Sequence, residues 1–302
     1  MKREYGVVIS GGGGGIGVLA TPMKIFGNRI KYDTIVANSS GAIVGIMYSI
    51  GKIDRLIEIL YTIVDSEVVR KRKLRYARKF LTYLIGFGDP LMGTYDNAPL
   101  RKLLRSELLG ETTEIEFTAI AVDLHNGAIA YWTIPPKTTF TDKNVDMFVS
   151  WIISSTAIPG VFSPEEINEH FYVDGGVKTQ APIEPLQLLM PQVDHITIIS
   201  SAGPKKPEEI RVRSDIDVFS LIVPMMVENV VELDIVKFTH RNELAQCGSK
   251  KWKYYPYIMT RPTQPTSPTV RFHHKYTIPD MEQGRKLAEI ELIKYERENV
   301  SN

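Results

Sequence analysis

Apolar positions along the chain fall alternately into short runs and longer periodic stretches, a pattern that predicts an α/β protein. Residues 5–10 form a brief apolar run that passes straight into Gly11-Gly12-Gly13-Gly14-Gly15-Ile16-Gly17, after which Val18, Leu19 and Met23 suggest a helix. The run 35–38 stops at Ser39-Ser40-Gly41 and becomes a second helical stretch with small residues on one face. Residues 53–64 and 97–109 read as amphipathic helices, and 66–85 as a helical continuation of the first. Apolar runs at 115–123 and 128–134 flank His125-Asn126-Gly127, and Asn-Gly between two such runs predicts a hairpin. Beyond it the pattern predicts a helix over 145–155, short strands over 171–174 and 193–200, and a mainly helical stretch over 215–244. A strand over 252–258, a loop over 262–268 and a closing helix over 279–298 complete the reading. No repeat or low-complexity linker interrupts this order, so a single domain spanning 1–302 is expected.

Composition narrows the classes. An apolar content of 43% over 302 residues is enough for a packed core. Thirty-six basic residues against thirty-five acidic ones leave no whole-protein attraction to nucleic acid, and no nucleic-acid partner is expected. The single cysteine, Cys247, excludes an intramolecular disulfide and a zinc site built from several cysteines, and it suits a reducing compartment. The apolar run after the first basic residues is too short for a signal peptide and no run reaches membrane-spanning length, so a cytoplasmic protein is expected. Within 70–79 stand Arg70, Lys71, Arg72, Lys73, Arg75, Arg78 and Lys79, with Leu74, Phe80, Leu81 and Leu84 beside them. Such a stretch either makes peripheral contact with an anionic membrane or solvates a helix face.

Candidate chemistry gathers at three glycine-marked points. Five successive glycines give up much backbone entropy, which makes sense where amides must be aimed at an anion. Gly12, Gly14 and Gly17 satisfy G-x-G-x-x-G, and Asp33 lies near the window of a ribose-binding acid, so a dinucleotide phosphate is one such anion. The oxyanion of an acyl intermediate is the other. The second strand favours the acyl reading, because 35–38 ends in serine and Asp33 precedes its apolar core. Ser39, between Ala37 and Gly41, has the small flanking residues of a nucleophile elbow, although Ser39 or Ser40 would also serve as a plain helix N-cap. Val173-Asp174-Gly175-Gly176 delivers an aspartate from a strand into a turn, which turn chemistry alone would also produce. None of His125, His170, His195, His240, His273 and His274 has a motif around it, and no metal-ligand spacing is visible, so metal-free chemistry without a cofactor is expected.

Four blocks in order resemble the patatin-like phospholipases: Ser10-Gly11-Gly12-Gly13, Ser39-Ser40-Gly41-Ala42, Ser155-Thr156-Ala157-Ile158-Pro159-Gly160-Val161-Phe162 and Val173-Asp174-Gly175-Gly176. The resemblance implies a three-layer α/β sandwich with a central, mainly parallel sheet, and a lipid acyl hydrolase with a phospholipid or related acyl ester as substrate. It further implies Ser39 as nucleophile, Asp174 as its base, and Gly12 and Gly13 as the oxyanion loop. Two departures touch that machinery: Ala37 stands at the elbow's first glycine, and no basic residue follows the glycines. A nucleotide-binding Rossmann-type protein and a catalytically silent lipid-binding relative are the alternatives.

Overall fold

A computed structural model describes residues 4–71, 93–203, 215–266 and 271–300. Strand β1 (Tyr5–Ile9) leads through a single 3-10 turn (Gly13–Ile16) into α1 (Gly17–Gly27), then β2 (Thr34–Asn38), α2 (Ser40–Ser49), α3 (Ile53–Thr62) and the short α4 (Asp65–Val68). The pairs β3 (Arg70–Lys71) and β4 (Tyr95–Asp96) follow, with α5 (Ala98–Leu108), β5 (Glu116–Asp123), β6 (Ile129–Ile134), α6 (Val145–Thr156), β7 (Glu165–Ile167) and β8 (His170–Asp174). The remainder consists of α7 (Ile183–Leu189), β9 (His195–Ile199), α8 (Asp215–Gln246), β10 (Tyr257–Thr260) and α9 (His274–Val300).

The main sheet runs β10-β9-β1-β2-β5-β8-β7, with β6 also on β5. The first five strands are parallel, whereas β6 and β8 pair antiparallel with β5, and β7 antiparallel with β8. Successive side chains of a strand point to opposite faces, and the two cores divide accordingly. Val7, Ile9, Ile35 and Ala37 pack under α1, α2, α3, α5 and α6, while Val8 and Val36 pack with α7 and Phe238 of α8. The expected three-layer sandwich with a mainly parallel sheet is therefore what the chain forms.

Register on β5 decides what meets at the sheet's upper end. Residues 117–122 pair with β6 along one edge, so β2 and β8 must share the other. There Ile120 pairs with Asn38 and the next residue, Ala121, with Asp174. Because β2 and β8 run in opposite directions, they arrive end to end, and the residue after Asn38 faces Asp174.

Several elements differ from the sequence pattern for identifiable reasons. The helix read over 66–85 stops at Val68; Val69 is extended at φ −134° and ψ 142°, and Arg70 and Lys71 pair with β4. The rest of the basic stretch, with its expected helix and membrane contact, lies outside the described residues. The strand read over 252–258 begins at Tyr257, since the Asn242 side chain of α8 accepts from Tyr255 N (2.9 Å) and donates to Tyr255 O (2.7 Å), satisfying that backbone without a ladder. Pro279 does not open the last helix. It lies inside α9, which begins at His274, where His274 N donates to Ile63 O. Strand β7 was not expected; it joins β8 through Asn168 and Glu169, both at positive φ, the pattern of a two-residue hairpin turn. No helix among the described residues is long and apolar enough to cross a membrane.

Candidate active site

The ends of β1, β2, β8 and β9 converge on one buried polar cluster. Parallel strands with helical crossovers leave their carboxyl ends open for chemistry, and here β8 enters the gap from the opposite direction.

Ser39 follows β2 at φ 54° and ψ −130°, a region that costs a non-glycine residue on the order of 1–3 kcal/mol. Its surroundings hold it there: Ser39 N donates to Ser155 Oγ (3.0 Å) at the end of α6, and Ser39 O accepts from Ala42 N (2.9 Å). Ser39 is the N-cap residue of α2 by position, yet its hydroxyl makes no cap bond. That hydroxyl lies near enough to the carboxyl of Asp174 to pull its acidity back towards the ordinary range. The small residue after the serine has a clear steric reason. A Cβ on Gly41 would lie 2.6 Å from Ile9 O, so the glycine lets α2 press on the end of β1. Ala37 fits without exposure in the core, so its methyl is no obstacle to the turn.

Asp174 is buried, and Oδ1 accepts from Gly176 N (2.7 Å). Burial pushes its carboxyl up to about 6, against the opposing pull of the Ser39 hydroxyl, the Gly176 amide and the Asn38 side chain. No histidine is among these partners. His195, the first of the later histidines, sits at the far end of β9 between Tyr5 and Tyr295, at ring distances of 5.3 and 5.1 Å. A carboxyl ionised at neutral pH and set beside a hydroxyl can take that hydroxyl's proton.

The glycine loop completes the wall. Gly11 abuts the serine, since a Cβ there would come within 2.8 Å of Ser39 Cβ. Gly12 lies against Ser201, with 2.5 Å between an added Cβ and Ser201 Cβ, and Gly13 needs the positive φ of 51° that glycine tolerates. Among the described residues the amides of Gly12 and Gly13 have no acceptor. The loop is fastened elsewhere: Ser10 N donates to Ile199 O (2.9 Å), Ser201 N to Ser10 Oγ (2.9 Å), and Ser201 Oγ to Gly11 O. Asp33 stands at the opposite end of the sheet, where Oδ2 accepts from Tyr5 N (3.0 Å); an acid reading a ribose beside these glycines would have to end β2.

Sequence reading singled out Ser39, Asp174, Gly12 and Gly13, and the fold brings all four to this cluster. It passed over Asn38, Ser155, Gln180 and Ser201. Asn38 Nδ2 donates to Gln180 Oε1 (2.8 Å) and Thr179 O (3.2 Å), and Gln180 O accepts from Gly11 N (3.3 Å). The loop carrying Gln180 is held in turn by Asp234 of α8, whose Oδ2 accepts from Gln180 N (2.9 Å), Ala181 N (3.1 Å) and Thr179 Oγ1 (3.2 Å). Only Ser155 stood inside a quoted block; nothing in the spacing of 180, 201 and 234 marks them.

A sandwich with a serine at the sheet's carboxyl edge, facing a strand-end aspartate, defines a class, and comparison with known proteins gives it a family. The profile described as Patatin-like phospholipase matches residues 7–186, which include all four of these residues. The chain belongs to this family of lipid acyl hydrolases. Among solved structures it is similar to the crystal structure of VipD from Legionella pneumophila, at 14% identity and a TM-score of 0.38, over 96% of this chain and 67% of that one.

Proposed function

We propose that the protein is a phospholipase A-type esterase working through a Ser39–Asp174 dyad. Asp174 accepts the Ser39 proton as Ser39 Oγ attacks the ester carbonyl of a phospholipid or related acyl lipid. The amides of Gly12 and Gly13, which have no acceptor among the described residues, receive the oxyanion, and the first-turn amides of α2 add their dipole. Collapse of the intermediate expels the alcohol, which takes the proton back from Asp174. Water, deprotonated by the same carboxylate, then releases the fatty acid and restores Ser39. The observation that carries this reading is the strained elbow that sets buried Ser39 beside the buried Asp174 carboxyl, near enough to act on its acidity. No imidazole is required.

The same reading treats 1–302 as one working unit, because β9, β10 and α9, all beyond residue 186, complete the sheet and cover α1. Its substrate is taken from a lipid surface, with the basic residues of 70–79 as the sequence feature that supports peripheral attachment. The test is labelling with a fluorophosphonate probe together with fatty-acid release from phospholipid vesicles. Labelling confined to Ser39, lost with release in Ser39→Ala, is expected. An unlabelled wild type that still binds vesicles would leave a silent lipid-binding relative.

A further inference from the structure

The start of β8 carries a second cluster, at the opposite end of the strand from Asp174. Asp123, the last residue of β5, is buried there beside the exposed side chains of His125 and His170. Strand pairing brings them together: Asp123 lies opposite Tyr172, and Leu124 N donates to Phe171 O (2.8 Å), drawing the hairpin turn over His170. The Asp123 carboxylate is fixed from behind. Oδ1 accepts from His125 N (2.8 Å) and Oδ2 from Asn126 Nδ2 (3.2 Å). In front, His170 Nδ1 lies 2.9 Å from Oδ2 and His125 Nδ1 3.6 Å from Oδ1, with the two rings 4.4 Å apart.

We propose that Asp123, His125 and His170 bind one transition-metal cation of the zinc type, which fastens the β5–β6 turn to the start of β8. The geometry points to such an ion in three ways. Bonds of about 2.0–2.2 Å in a tetrahedral site put neighbouring ligand atoms roughly 3.4 Å apart, and the two nitrogen-to-oxygen separations, 2.9 and 3.6 Å, bracket that edge. All three candidate ligand atoms fall within 4.8 Å of one another, and half-exposed imidazoles can turn to close the third edge. Two imidazoles and one carboxylate suit zinc, copper or nickel, whereas calcium and magnesium prefer an all-oxygen shell. Backbone and Asn126 donors give the outer support that orients a ligating carboxylate.

The proposal stands apart from the ester chemistry. His170 and Asp174 are four residues apart on β8, about 13 Å at strand rise, so the cation would brace the strand that presents Asp174 and touch no substrate at Ser39. Ligand spacing along the sequence could not disclose the site, because two ligands come from a hairpin turn and the third from a strand that pairs with it.

The test uses the full chain without a histidine tag, treated with EDTA and dialysed free of metal. Titration with Zn²⁺ or Co²⁺ should show one equivalent bound, with visible Co²⁺ bands of a low-coordinate nitrogen and oxygen site, and Zn²⁺ should raise Tm by several degrees. Single His125→Ala or His170→Ala substitution should weaken binding about 10- to 100-fold, and the double variant should lose both the bands and the Tm rise. Cys247→Ser, removing an exposed thiol that also binds these metals, should leave them unchanged. Both imidazoles are exposed, so the variants should keep the wild-type circular dichroism. Affinity of the double variant equal to that of wild type, or no binding by wild type, overturns the proposal.

Discussion

Asp174 and Asp234 stand on either side of the loop that carries Gln180, and burial pushes the carboxyl of each up to about 6, yet the groups facing them belong to different parts of the fold. Asp174 meets a hydroxyl, an amide and the Asn38 side chain. Asp234 meets two amides and the Thr179 hydroxyl, and through them holds the wall behind Gly11 and Asn38. A raised carboxyl marks burial in both cases. What separates a base from a clamp is where the hydroxyl within reach stands: the Ser39 oxygen lies on the elbow beside the glycine loop, whereas the Thr179 hydroxyl and the two amides belong to the loop that Asp234 fastens. Proximity to the strained elbow, and not the acidity, picks out Asp174.

The largest expected effect follows directly. Ser39→Ala and Asp174→Asn should each lower turnover by roughly 10⁴-fold or more, and the double variant should be no worse, because members of a dyad act as a unit. Multiplying losses would break the comparison by giving Asp174 a role independent of the serine. Wild-type kcat/KM should also fall about tenfold per pH unit below about 6 and stay level above it, since Asp174 must be ionised to accept the proton. A profile governed by a group near neutrality, abolished by a histidine substitution, would favour a different base.

Next in size is Asp234→Ala. It strips the acceptor from Thr179, Gln180 and Ala181 at once, and unsatisfied buried donors cost about 1–3 kcal/mol each, so a loss of roughly 2–4 kcal/mol in a denaturant titration is expected with partial access of water. Turnover should fall only several-fold, through a loosened Gln180. A loss matching that of Asp174→Asn in a still-folded protein would place Asp234 in the chemistry.

Asp174→Asn carries a second signature, of opposite sign. Asp174 is fully enclosed, and a carboxyl raised from 3.8 to about 6 in the fold favours its neutral form. Its ionisation at neutral pH therefore opposes folding by about 3 kcal/mol. The penalty is absent below the unfolded value and grows as pH rises through the folded one. Asp174→Asn should accordingly be inactive and more stable than wild type at pH 8, by up to that amount, with the advantage fading towards pH 4. Equal stability at both pH values would mean that Asp174 is better solvated than its burial indicates.

How far such a site is legible in sequence depends on whether a residue's reason is local. Gly13 and Gly41 announce themselves, because a positive φ and a close helix–strand approach both demand glycine. Ser39 and Asp174 are readable for a similar cause, the one just past a strand and two residues before a glycine, the other ending a strand next to one. The elbow's logic was only half local: the carbonyls that Gly41 must clear belong to β1, and Ala37 sits in β2 with room for its methyl. Gln180, Ser201 and Asp234 contribute through contacts across more than fifty residues of chain, so no window could contain them. Fold class was legible because alternation of apolar runs with helical stretches is a chain-long signal. The ends of elements were not, where one distant side chain, such as Asn242 at Tyr255, took over backbone bonds that a strand would have made.

The smallest expected effect draws the distinction most sharply, since it applies one substitution to both acids. All three hydrogen bonds to Asp234 end on Oδ2, and an asparagine at 234 can set its carbonyl oxygen there and keep them. Asp234→Asn removes the charge while conserving the acceptor, and it also removes the penalty for ionising a partly buried carboxyl. A clamp needs only the acceptor. Turnover within about threefold of wild type and a stability change within about 1 kcal/mol are therefore expected, the neutral amide offering weaker bonds but no desolvated charge. At Asp174 the same exchange also conserves shape and an acceptor oxygen, yet it removes the one property a base requires. Parallel measurement of kcat and of denaturant midpoints for the two asparagine variants reads both effects in one experiment. A hundredfold loss of kcat in Asp234→Asn would show that the charge at 234 is needed, and would put both carboxyls on the same side of the division between base and clamp.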